Sequence, residues 1–198
     1  MRTVAAAEFW DAQARQFDEQ PDHGLRDPIV RAAWAGLLVQ VLPPPPARVA
    51  DLGCGTGSLT VLVAEAGHRV SGLDISPAMV ALAQAKVAGA GYPADLSVGD
   101  AALPPWEPGS FDVVLARHAL WAMEDPDGAL TRWLQLLAPG GRLVLVEGRW
   151  WTGAGMTAGE VAKLVLRHRS EAQVTPLDDA VYWGNPIRDE RFVVVSHR

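Results

Sequence analysis

The stretch Val49-Ala50-Asp51-Leu52-Gly53-Cys54-Gly55-Thr56-Gly57-Ser58-Leu59-Thr60 restricts the fold more than any other part of the chain. Short apolar residues run into an aspartate, three glycines alternate, and an apolar-periodic segment follows. This is the pattern of a strand, a tight turn and the opening of a helix, the junction at which α/β folds bind nucleotide-like ligands. Glycine serves there because the backbone must turn sharply and admit a ligand closer than a Cβ permits. Spacing discriminates further. A dinucleotide fingerprint G-x-G-x-x-G counted from Gly53 requires glycine at 58, where the chain has Ser58; its third glycine is Gly57.

The flanking segments supply the context. Val4, Ala7, Phe9, Trp10, Ala14 and Phe17 recur at helical spacing over residues 3–17, and Ile29, Ala33, Trp34, Leu37, Leu38 and Val41 do so over 28–41. Between them, residues 18–24 read as a loop, and Pro43 to Pro46 as a stiff polyproline II connector. Strands are expected at 48–52, 69–73, 95–98, 111–116 and 142–147. They alternate with helices at 58–66, 76–88 and 126–137, Gly89 and Gly91 closing the second of these and Pro139-Gly140-Gly141 following the third. Repeated βαβ units imply a mostly parallel sheet with right-handed crossovers. The carboxyl end departs from that rhythm: a helix over 157–169, then strands at 172–177 and 191–197 joined as a hairpin, so that one strand runs against the rest.

At 198 residues the chain is read as one domain, with 1–42 as an amino-terminal helical lid or flank, 48–147 as the ligand-binding core and 148–198 as the acceptor-side loop, helix and terminal hairpin. A net charge of −6 without a basic patch argues against a nucleic-acid partner. No run of about 18 apolar residues and no signal-like amino terminus is present, so no membrane partner and a cytoplasmic location are expected. The single cysteine, Cys54, rules out an internal disulfide, reads as a small residue packed in the turn, and leaves no metal site expected.

The D-x-G-x-G-x-G stretch resembles the first motif of the class I S-adenosylmethionine (SAM)-dependent methyltransferases. Arg117-His118-Ala119-Leu120-Trp121, Glu124-Asp125-Pro126, the Leu-Ala-Pro-Gly-Gly-Arg run, Tyr182-Trp183-Gly184-Asn185-Pro186 and Asp189-Glu190-Arg191 resemble the broad "type 11" methyltransferases. The resemblance implies a Rossmann-like fold with a seven-stranded, mostly parallel sheet, one antiparallel strand and helices on both faces. It implies SAM as cofactor, S-adenosylhomocysteine as product, and a small-molecule acceptor methylated at oxygen or nitrogen. A non-catalytic SAM-binding protein is the alternative. An NAD(P)-dependent oxidoreductase is disfavoured by the glycine spacing and by the terminal hairpin.

Candidate site residues follow from strand ends, since ligands of open parallel sheets sit beyond the carboxyl ends. Gly53, Cys54, Gly55 and Gly57 form the cofactor loop, and Asp51 shapes it and meets the cationic end of SAM. Asp74, 23 residues beyond Asp51, accepts from the ribose hydroxyls, and Ile75 and Met79 give the adenine an apolar face. Asp100, Ala101 and Ala102 match the family's adenine-amino position. Arg117 borders the sulfonium, and Trp10 and Phe17 cover the cofactor from the first helix. Transfer to a hydroxyl or ammonium also needs a base, and His118 by position, then His23, are the candidates. Trp121, Arg149, Trp150 and Trp151 are expected to line the acceptor pocket, with Arg149 orienting an anionic substrate.

Overall fold

The computed structural model describes residues 3–197. It places helices α1 (Thr3–Phe17), α2 (Pro21–Gly24) and α3 (Pro28–Val41) before strand β1 (Arg48–Leu52). Helix α4 (Ser58–Glu65), β2 (Arg69–Asp74), α5 (Pro77–Ala90), β3 (Ala94–Val98) and β4 (Phe111–Arg117) follow. Then come α6 (Pro126–Gln135), β5 (Leu137–Arg149), α7 (Ala158–Leu166), β6 (Gln173–Pro176) and β7 (Glu190–Ser196).

Local chemistry sets the helix starts. Asp27, Ser76 and Asp125 each stand before a proline and accept a backbone N–H of the first turn, so α3, α5 and α6 begin with an N-cap and a pre-set φ. Thr157 and Glu160 form a capping box on α7. The short α2 falls where a loop was expected, and Gly89 lies inside α5, which ends at Gly91 in the left-handed region. Strand β5 starts at Leu137 and carries Pro139-Gly140-Gly141 within it, since Leu137 pairs with Phe111 across an irregularity before the regular ladder from Val113–Arg142. The proline connector is not a continuous polyproline II run, because the Pro45–Pro46 peptide is cis.

The sheet order is β3-β2-β1-β4-β5-β7-β6. Strands β1 to β5 pair in parallel, while β7 is antiparallel to both β5 and β6, so one strand is reversed, as the terminal pattern predicts. Strands β1 and β4 bury every residue but Arg48, Asp112 and Arg117, which is why they read as continuous apolar runs. Two apolar layers sandwich the sheet. One joins Trp34, Leu38, Leu59, Val63 and Trp183 to Val49, Leu115 and Val193; the other joins Leu130, Trp133, Val161 and Val165 to Leu52, Ala116 and Phe192. Among the described residues no helix is long and apolar enough to cross a membrane.

The strand order reverses at β1, between β2 and β4. That opens a crevice at their carboxyl ends, where α4 begins. Gly57, at φ +78°, starts α4, and a Cβ on it would lie 2.8 Å from the Ala83 Cβ of α5. Gly57→Ala combines a disfavoured backbone with a steric clash and is expected to lower the unfolding free energy by about 2 kcal/mol, measured by chemical denaturation. An unchanged midpoint would show that α5 yields at this contact.

Candidate active site

The turn after β1 is held from β2. Gly53 and Cys54 give their N–H groups to the Leu73 carbonyl at 2.8 and 3.1 Å. Asp74, 8% exposed, accepts from Gly55 N at 2.8 Å through one oxygen and from Ser76 N at 2.9 Å through the other. Burial raises its pKa against those hydrogen bonds, and Asp11 adds to the rise. Asp51, 2% exposed, accepts from Thr60 Oγ1 at 2.6 Å. Burial pushes its carboxyl up to about 6, opposed by Thr60 and Arg117 and reinforced by Asp74. Two carboxyls with raised pKa values therefore flank a glycine turn, an arrangement that a cation relieves. Cys54 is buried, which raises its thiol pKa well above the ordinary value, as expected of a packing residue.

Asp100 accepts from Ala102 N at 2.8 Å through Oδ1. Ala101 is buried under Trp133, whose indole N–H donates to its carbonyl at 2.7 Å. Met79 is buried with its N–H on Ser76 Oγ, while Ile75 keeps partial exposure.

The first helix lies across this turn. Asp11 accepts from Ser76 Oγ and from Ala78 N, the latter at 3.0 Å. Asp18 accepts from Thr56 Oγ1 at 2.5 Å and pairs with Lys86 at 2.8 Å. Phe17 comes within 3.6 Å of where a Gly55 Cβ would sit, and Trp10 meets Phe17 edge-on at 6.3 Å. Phe17 thus lies beside the glycine turn, and Trp10 reaches it only through Phe17.

Beyond Phe17 the site changes character. His23 stacks on Phe17 at 4.2 Å and donates from Nδ1 to the Phe17 carbonyl at 3.2 Å. Its pKa is lowered by burial, with Asp22 acting in the opposite sense and Arg117 in the same one. His118 follows β4 at φ +55°, giving its backbone N–H to the Val146 carbonyl at 2.8 Å and accepting the Trp121 indole N–H on its own carbonyl at 2.9 Å. Its ring lies parallel to Trp183 at 6.0 Å and edge-on to Trp150 at 5.1 Å. Burial, then Arg117, Arg191 and His23, hold its pKa well below the ordinary value. Ligating atoms of Asp22, His23 and His118 fall within 4.8 Å of one another. Two imidazoles and a carboxylate suit a transition metal, but Arg117 beside them opposes a cation.

The two candidate histidines are therefore brought together, and Trp121 and Trp150 join them, their rings 5.1 Å apart. Arg149 and Trp151 do not. Arg149 points outward, 3.8 Å from Glu160, and Trp151 is 84% exposed, because the chain leaves the sheet at Arg149 and folds back through a Trp150 N–H to Ala154 carbonyl bond. Arg117 lays its guanidinium over Trp34 at 5.0 Å and donates to the Asp22 carbonyl at 2.5 Å.

Four site residues carried no assigned role in the sequence. Asp22 offers no signal there beyond its place beside His23. Trp183 and Arg191 stood within the stretches that resemble the family, and Glu147 opened the run to Trp151 that was expected to enter the acceptor pocket after the fifth core strand. Arg191 stands between Trp150 at 4.8 Å and Trp183 at 5.3 Å, paired with Asp189 at 2.8 Å. Glu147, fully buried, accepts from Leu120 N at 2.8 Å, and burial pushes its carboxyl up to about 8.

A family model described as a methyltransferase domain matches residues 50–145. The trans-aconitate 2-methyltransferase of Streptomyces avermitilis is 35% identical over 187 residues, which cover 90% of this chain and 65% of that protein. The chain thus spans less than two thirds of that relative's length. Among solved structures, the [4+2]-cyclase SpnF superposes with a TM-score of 0.72 at 19% identity, over 85% of this chain and 80% of the other. A geranyl diphosphate methyltransferase in complex with GPP and sinefungin gives 0.71 at 16% identity, over 84% and 77%. Strand order, the reversed seventh strand and the glycine turn agree with these matches, and residues 50–145 are identified as a methyltransferase domain.

Proposed function

We propose that the protein transfers a methyl group from SAM to an oxygen or nitrogen atom of a small molecule. The observation that carries this reading is the pair of buried acids, Asp51 and Asp74, on either side of the alternating-glycine turn. The residues fit the cofactor. Each Asp74 oxygen accepts one backbone N–H, and a carboxylate has about four lone-pair sites, so acceptor capacity is left for ribose hydroxyls. Asp51 lacks a basic partner within salt-bridge reach among the described residues and suits a cationic ligand end. Asp100 commits one oxygen to Ala102 N, leaving the other for an amino group. Ile75 and Met79 supply the apolar side.

Bound there, SAM supplies an electrophilic methyl group and leaves as S-adenosylhomocysteine. The chain's own contribution is alignment and exclusion of water. Helix α1, latched through Asp11 and Asp18, covers the loop, while His118, Trp121 and Trp150 border the acceptor. The test is calorimetric titration with S-adenosylhomocysteine, with NADH as control. Micromolar binding of the first alone is expected; binding of NADH alone would overturn the reading. Turnover of labelled SAM then separates an enzyme from a non-catalytic SAM-binding protein.

Asp51 gives a linked prediction. A cation beside it favours its carboxylate, so its pKa falls from about 6 on binding and a proton is released. At pH 6 SAM binding is expected to release about half a proton, and affinity to rise with pH through that range. Calorimetry in two buffers of different ionisation enthalpy measures this. Asp51→Asn should remove the buffer dependence; if it persists, the proton comes from elsewhere.

A further inference from the structure

Two nitrogens on the acceptor side are buried without a hydrogen-bond partner: Nε2 of His118 and Nε of Arg191. Both belong to side chains set against the same two indoles, Trp150 and Trp183. The arrangement is built for this. A Cβ on Gly148 would sit 2.7 Å from Arg191 Cδ, and one on Gly155 would sit 2.5 Å from the Trp150 ring, so both side chains occupy space that only glycine leaves. Asp189 takes Arg191 Nη2 at 2.8 Å, and Nη1 lies 3.4 Å from the Glu190 carbonyl. The guanidinium plane is thereby fixed in its aromatic stack, and its Nε–H remains to be satisfied. A buried guanidinium N–H is best satisfied by an anionic oxygen.

The same surroundings bear on the proton. His118 faces Arg117 at the end of β4, Arg191 of β7, and His23 and Asp22 of α2, while Glu147 of β5 is engaged with the turn at Leu120. A proton placed on His118 would add a third positive charge between two guanidiniums, and burial disfavours it as well. Such an imidazole is a poor acceptor for a hydroxyl or ammonium proton. The cluster thus favours a nucleophile that arrives already ionised.

We propose that the methyl acceptor is a small carboxylate, seated with one oxygen on Arg191 Nε–H between Trp150 and Trp183, and converted to its methyl ester without a protein base. This rests on the methyl-transfer reading above. A carboxylate oxygen forms the new O–CH3 bond as the CH3–S bond breaks. The negative charge of the carboxylate and the positive charge of the sulfonium are both lost, and no proton moves. Trp150 and Trp183 give the remainder of the acceptor apolar walls, and His118 offers its open ring nitrogen beside the carboxyl group.

The test has a binding arm and a transfer arm. With S-adenosylhomocysteine saturating, the protein is titrated with trans-aconitate, fumarate and benzoate, and with the corresponding uncharged amides. At least one carboxylate is expected to bind tenfold or more tighter than its amide. Arg191→Lys, which keeps the charge beside Asp189 but not the Nε edge, should erase that preference without changing affinity for S-adenosylhomocysteine. With methyl-labelled SAM, the product should release labelled methanol in alkali, at a rate flat between pH 6.5 and 8. Equal binding of acid and amide, no binding of any of the three acids, an alkali-stable label, or a rate rising about tenfold per pH unit would each overturn the carboxylate proposal. Failure to bind S-adenosylhomocysteine would instead overturn the methyl-transfer reading, and the proposal with it.

Discussion

Replacing Asp74 by asparagine is expected to weaken S-adenosylhomocysteine binding at least about a hundredfold, from two lost charge-assisted hydrogen bonds of roughly 1.5 kcal/mol each. The variant separates two roles that one carboxylate performs. Asp74 clamps the glycine turn through Gly55 N and Ser76 N, and in the proposed complex it also takes the ribose hydroxyls. Alanine removes both roles at once, leaving two backbone donors without their acceptor, and a loss of affinity would then have two explanations. Asparagine keeps the shape and one acceptor oxygen. Losing the second acceptor destabilises the turn, but removing a carboxylate whose pKa burial has raised acts in the opposite sense. The thermal midpoint should therefore stay near that of the parent while affinity collapses. Calorimetry and a melting curve on the same preparation measure both. Binding within threefold of the parent would make Asp74 a loop clamp alone.

That the cofactor side was legible in the sequence has a physical cause. Asp51, the glycines, Asp74 and Asp100 are tied to strand ends, and strand ends are marked by local signals: an apolar run, a turn residue, a helix cap. Ser76-Pro77 fixed the start of α5, and the acids fell next to those boundaries. The acceptor side has no such local code. It is assembled from residues 22–23, 117–121, 147–150 and 183–191, which meet only because β7 inserts beside β5 and the loop before it returns to α2. The Arg149-Trp150-Trp151 run shows the limit. Adjacent residues point apart, but nothing in the run says which indole turns inward. Gly155 decides it, by leaving room for Trp150, and the guanidinium that reaches the indoles comes from Arg191, forty-odd residues away. The short α2 escaped for a related reason: four residues carry no periodicity.

The second large effect is expected at Glu147, and its size depends on pH. The side chain is fully buried at the end of β5, with Oε1 on Leu120 N and Oε2 without a partner. Its folded pKa is about 8 against an ordinary value of 4.5. A carboxyl raised in this way opposes folding once ionised: the penalty is absent below pH 4.5, grows as pH rises, and levels off above about 8. Between pH 6 and 8 this group alone should remove about 2 kcal/mol of stability. Glutamine keeps an oxygen for Leu120 N and carries no titrating proton. Glu147→Gln is therefore expected to match the parent by chemical denaturation below pH 4.5, and its advantage over the parent should be about 2 kcal/mol larger at pH 8 than at pH 6. A gap of the same size at both pH values would mean that Glu147 is not the titrating group. In this environment a glutamate is a poor choice for stability alone, and its contacts point to what it does instead. Backbone N–H groups of Ala119, Leu120 and Trp121 converge on it. That is the turn that carries His118 through its left-handed conformation and sets Trp121 beside Trp150. Glu147 is thus a positioning residue for the turn that carries His118 and Trp121, and an uncharged carboxyl is the form in which the fold tolerates it there.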